Sequence, residues 1–118
     1  MVDYTEEDVV TYVPEADDNR HQEEPWEVDL VPMTAAEQRK YMMAAAGAKD
    51  ANKMKQANAV LARIFRDRVL RVVGLLDIRG QAIETGAELF ERSETEYIDE
   101  IWAALTKAST LRAGLKNA

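Results

Sequence analysis

Apolar residues recur along this chain with two periods, and the longer pattern dominates. From Gln56 to Leu76 (QANAVLARIFRDRVLRVVGLL) no proline and no early glycine interrupts the run. At about 100° per residue, Ala57, Leu61, Ile64, Phe65, Val69, Val72, Leu75 and Leu76 share one broad face, with Arg63, Arg66 and Asp67 on the other. The spacing predicts one helix from near Asp50 or Asn52 to about Leu76, buried nearly all round beyond Val69. Leu61, Ile64, Phe65, Val72 and Leu76 are the expected core, joined by Trp102. Arg68 projects into the apolar face, which predicts a half-buried cation with a partner.

The shorter period appears between two prolines. In PWEVDLVP, Trp26, Val28 and Leu30 alternate with Glu27, Asp29 and Val31, the pattern of a short edge strand, and Trp26 reads as a core residue. Thr34-Ala-Ala-Glu37 has capping-box spacing and predicts a helix to about Ala46, stopped by Gly47. Asp77 to Ile83 reads as a turn between two short extended pieces, with Gly80 at the tight position. Thr85-Gly-Ala-Glu88 and Ser93-Glu-Thr-Glu96 are two further capping boxes. The last of these opens a helix with Tyr97, Ile98, Ile101, Trp102, Leu105 and Ala108 on one face, followed by a turn and tail from Ser109.

Composition sets the scale. At 118 residues and 13.3 kDa, 47 % apolar but only 7 % aromatic, the chain suffices for one small domain with a core of aliphatic residues. The expected fold is mainly α: a small helical domain (25–118) with a short N-terminal strand or hairpin component, preceded by an extended acidic arm (1–24). Residues 1–30 hold 11 acidic residues and one Arg, a net −10, whereas 31–118 hold 14 basic and 11 acidic residues, a net +3. Inside the arm, Val9-Val10-Thr11-Tyr12-Val13 is strand-like by residue type and suited to adding to a sheet edge when a partner is present. The rest of the arm has too little apolar surface to offset its ordering entropy.

Reaction chemistry finds little support. Cysteine is absent and His21 is the single histidine, so neither a zinc site nor a catalytic triad can be assembled. Gly80 and Gly86 are isolated, not parts of a phosphate-cradling loop. The carboxylate pairs Glu6-Glu7, Asp17-Asp18, Glu23-Glu24 and Asp99-Glu100 are plentiful, but adjacent residues on an element diverge and charge runs are usually solvated faces. The expectation is no enzyme, no metal and no cofactor. No apolar run approaches the ~20 residues of a membrane span, and the acidic N-terminus lacks the order of a signal peptide. A soluble intracellular protein without a membrane partner is expected. Nucleic acid is also not an expected partner, because the arginines of the central helix share it with an apolar face and lack interleaved aromatics.

Three segments carry a family resemblance: Ile83-Glu-Thr-Gly-Ala-Glu-Leu-Phe90, Tyr97-Ile-Asp-Glu-Ile-Trp-Ala-Ala-Leu105 and Ser109-Thr-Leu-Arg-Ala-Gly-Leu-Lys-Asn117. Together they resemble the tail assembly chaperones of long-tailed bacteriophages, mainly in the C-terminal third, and Trp26 to Glu37 fits the same outline. The resemblance implies a non-catalytic protein in the host cytoplasm that coats the aggregation-prone tape-measure protein while tail-tube subunits assemble around it. A longer form made by ribosomal frameshifting is often found in that family. The acidic arm departs from the pattern. It leaves as an alternative a structural or accessory virion protein whose arm contacts neighbouring subunits. A host-directed regulator whose arm imitates nucleic-acid phosphate is a third reading.

A chaperone for an apolar helical client needs apolar surface of its own. Flexible thioethers adapt to varied side chains, so Met33, Met42, Met43 and Met54 are the expected partner-binding residues. Val9, Val10 and Tyr12 join them through the strand-like patch of the arm. The expected partners are the tape-measure and tail-tube proteins, with self-association as a further expectation.

Overall fold

Residues 9–47 and 49–116 are described by the structure, a computed structural model, with side chains through Ala108. The period-two segment becomes β2 (Glu27–Leu30), whose Val28 and Leu30 are buried. It is the centre of a sheet and not an edge: β1 (Val10–Tyr12) pairs antiparallel on one side and β3 (Val69–Val73) on the other, in the order β1-β2-β3. Both prolines fall outside the paired residues, so their missing N–H groups cost no ladder bond. The outer face carries Thr11, which donates to Asp29 at 2.8 Å, and Arg71, which pairs with Asp29.

From Val9 onward the acidic segment is therefore part of the body, and its strand-like patch pairs within its own chain. Ala16–His21 forms a 3₁₀ segment in which Asp17 and Asp18 hold left-handed φ values of 55° and 59°. Within it Asn19 is fully buried. Its amide donates to the carbonyls of Pro14 and Trp26, and its oxygen accepts the Trp26 N–H, each at 2.9 Å. One side chain thus satisfies three backbone groups that would otherwise be buried unpaired. Residues 1–8 of the expected arm lie outside the described residues.

α1 (Ala35–Ala46) starts with the predicted capping box at Thr34 and Glu37 and ends before Gly47. α2 (Ala51–Arg68) is capped by Asp50, which accepts the Lys53 N–H at 2.9 Å. The two form an antiparallel pair inserted between β2 and β3. The long helix expected to reach Leu76 stops eight residues early. Val69-Leu70-Arg71-Val72-Val73 is rich in β-branched side chains that favour a pleated surface, and the Arg68 carbonyl accepts the Val31 N–H at 2.8 Å. Short apolar runs fit either period, and here the free edge of β2 decided the competition. The register shift between Asp29 and Leu30 leaves Leu70 out of the ladder and exposed. Burial of Val69 to Leu76 all round is likewise not seen: Val69, Val72 and Leu75 are buried, whereas Leu70, Val73 and Leu76 are exposed.

Gly74, at φ 86°, turns the chain from β3 into β4 (Leu75–Leu76), which pairs with β5 (Ala82–Ile83). Gly80, at φ 80°, closes the intervening turn, its N–H donating to the Asp77 carbonyl at 2.9 Å. α3 (Gly86–Arg92) follows its predicted capping box at Thr85 and Glu88. The third predicted box does not form. Ser93 instead closes α3, both its N–H and its hydroxyl donating to the Leu89 carbonyl, and α4 (Thr95–Lys116) starts two residues later. Its backbone stays helical to Lys116, where a final turn and tail were expected from Ser109.

Ile64, Phe65, Val72, Leu89, Ile101 and Leu105 are buried with the inner face of the sheet, and Leu61 and Trp102 are half-buried against them. Leu76, expected in this core, is 60 % exposed. Ring pairs knit the elements together: Phe65 with Phe90 at 5.4 Å, Trp26 with Tyr97 at 5.2 Å, and Tyr41 with Trp102 at 4.7 Å.

Candidate functional site

α1 has no buried residue. Its inward line, Glu37, Tyr41 and Ala44, is only half-covered, and the Tyr41 ring on Trp102 is its anchor to α4. In the first three turns of α2 only Ala57 is buried. The end of the pair around Gly47 therefore overhangs the body. Met42 and Met43 are 57 % and 75 % exposed on α1. Met54 is 55 % exposed although, at 100° per residue, it continues the core-facing line of Leu61 and Phe65. Among the described residues no side chain buries Met54 as the core buries Phe65. A helix pair of this kind offers adaptable apolar surface.

Met33 does not belong to that surface. It is 4 % exposed, packed in the main core just before the Thr34 cap, and so unavailable to a partner. The three other methionines lie on the overhang, well away from β1. There, Val9 is half-buried and Val10 is exposed at the sheet edge. The Tyr12 hydroxyl donates to Glu100 at 2.6 Å, and burial together with that carboxylate pushes the phenol up to about 12. Tyr12 thus serves to fasten β1 to α4.

Two exposed apolar positions were hidden in the sequence pattern. Leu76 and the fully exposed Ile78 project at the β4–β5 hairpin. The helical reading placed Leu76 inside, and the only signal against it was the turn chemistry of Asp77 and Gly80. Two shallow grooves flank the outer ridge of α2. One, of about 310 Å³, lies between α1 and α2 and is lined by Glu37, Lys40, Ala59, Val60, Arg63 and Ile64. The other, of about 290 Å³, lies toward α3, and Ala59 and Arg63 line both.

Among the described residues no group of three or more His, Asp and Glu side chains converges as a metal site. His21 is exposed and meets Asp18 at 2.5 Å. No described helix is long and apolar enough to cross a membrane. Comparison with protein-family models, with characterised proteins and with solved structures finds no match to this chain.

Proposed function

We propose that this chain is a non-catalytic tail assembly chaperone of a long-tailed bacteriophage, which holds apolar helical stretches of the tape-measure protein on the overhanging end of the α1–α2 pair. One observation carries the reading. Met42, Met43 and Met54 are each more than half exposed on a helix pair of which α1 buries no residue of its own. That is apolar surface a free domain gains nothing by displaying, and it suits a client of varied sequence. The resemblance in the C-terminal third supplies the identity of the client.

Binding by this route rests on apolar burial and survives raised salt. The test is to titrate a tape-measure segment against the wild type and Met42→Ser/Met43→Ser at low and at high salt. Salt-resistant binding that drops about tenfold or more in the variant is expected, from the ~0.8 kcal/mol per buried CH₂ that each thioether contributes. Undiminished affinity in the variant would reject the site. Mass spectrometry of purified particles separates this reading from that of a structural virion protein, since a chaperone is absent from the finished particle.

A further inference from the structure

The groove between α1 and α2 has a charge character that the methionines do not share. Its floor is apolar, from the more buried Val60 and Ile64, and exposed Ala59, Lys40 and Arg63 line it above them. Glu37 also lines it, but its carboxylate is taken up by the Arg68 guanidinium and the Thr34 N–H. Neither Lys40 nor Arg63 makes an ion pair among the described residues. The stretch 35–68 holds eight basic and three acidic residues, a net +5, against the net −10 of residues 1–30.

Complementary carboxylates project elsewhere on the same molecule. Gln22-Glu23-Glu24-Pro25 links the 3₁₀ segment to β2. Glu23 and Glu24 are both exposed there, without a hydrogen bond or ion pair among the described residues. The loop is braced on both sides, by the Gln22 N–H on the Asn19 carbonyl at 3.1 Å and by buried Trp26. Within one molecule no ion pair joins the loop to the groove.

We propose that the groove is the docking site for the Glu23-Glu24 loop of a second copy of this chain. Two adjacent carboxylates meet an ammonium and a guanidinium, the latter able to grip a carboxylate with two parallel bonds. Exposed ion pairs contribute little on their own, and it is the apolar floor that partly dehydrates these. Groove and loop are different patches, so the contact is head-to-tail and leaves one of each free on every assembled pair. Association then propagates beyond the dimer, and it weakens as salt rises.

Sedimentation velocity and light scattering on the full chain test this. At low salt the wild type should exceed its 13.3 kDa monomer mass increasingly with concentration, and return to the monomer when salt is raised. Lys40→Gln/Arg63→Gln removes the groove charges and Glu23→Gln/Glu24→Gln removes the loop charges. All four positions are solvent-facing, so circular dichroism should report an unchanged fold. Each variant alone should be monomeric. Mixed in equal amounts, the intact loop of one finds the intact groove of the other, and growth stops at a dimer of twice the monomer mass. A wild type that stays monomeric at low salt, variants that associate as the wild type does, or a mixture that yields no dimer would each overturn the proposal.

Discussion

Glu37 serves both helices of the inserted pair: its carboxylate accepts the Thr34 N–H at 2.9 Å in the capping box of α1 and grips the guanidinium of Arg68 at the last residue of α2. Arg68 is only 7 % exposed. A buried cation that loses a carboxylate is penalised more than the intact pair contributes. Glu37→Ala should therefore cost about 3 kcal/mol, whereas Glu37→Ala/Arg68→Met should recover much of that loss. Urea denaturation of both variants checks this, and a single variant within about 1 kcal/mol of wild type would show the pair to be dispensable.

Phe65 and Leu76 share one face of a helical projection but differ completely in the fold. Phe65 is fully buried against Phe90, and Phe65→Ala should cost about 3–5 kcal/mol. Leu76→Ala, at an exposed hairpin position, should stay within about 0.5 kcal/mol. Equal melting temperatures for the two variants would contradict the end of α2 at Arg68.

Gly86 starts α3 where that helix touches the α2–β3 junction. A Cβ there would lie 2.1 Å from the Phe65 carbonyl oxygen and 2.8 Å from the Val69 carbonyl oxygen. Backbone atoms on both sides have no rotamer by which to yield. Gly86→Ala should thus destabilise by at least the ~1–3 kcal/mol usual for overpacking, although alanine is the better helix former. A melting temperature at or above that of the wild type would refute the close approach.

Glu100 ties the acidic segment to α4 by accepting the Tyr12 hydroxyl at 2.6 Å and the N–H groups of Glu15 and Ala16 at 2.6 and 2.9 Å. Burial acts to raise this carboxyl, but these hydrogen bonds outweigh it and hold it below the usual range. With the folded value depressed, the contribution is complete above the ordinary Glu value of about 4.3 and is lost as pH falls through the folded value. Glu100→Gln turns an amide NH₂ toward donors and should cost about 1–3 kcal/mol near neutrality. The gap between variant and wild type should close on acidification. Thermal melts over a pH series measure it, and a gap that is constant with pH would remove Glu100 as its source.

Much of the local structure was legible because its causes are local. The boxes at Thr34 and Thr85, the Asp50 cap and the turn at Gly80 each depend on residues within a few positions of one another. The pairing of β3 with β2 depends on residues far apart, and Val69 to Val73 fits a helical face equally well until β2 offers a free edge. Asn19 was illegible for the same reason: nothing within its own segment shows that Pro14 and Trp26 supply buried backbone groups to be satisfied. At the candidate surface, composition pointed to methionine. Its spacing did not separate Met33, beneath the cap, from Met42, Met43 and Met54 on the overhang.

The placement of α1 and α2 between two neighbouring strands makes the pair an insert in a sheet that closes behind it. Among the described residues its outer end shares no hydrogen bond with the strands, and its base is fixed by Glu37 and Arg68. The overhang can therefore be shortened, lengthened or replaced in whole helical turns while the scaffold keeps its register, much as a blade is changed without altering the handle. If the overhang holds a client as proposed, client preference and fold stability become separately adjustable traits, and a graft of this helical tip alone would transfer the first without touching the second.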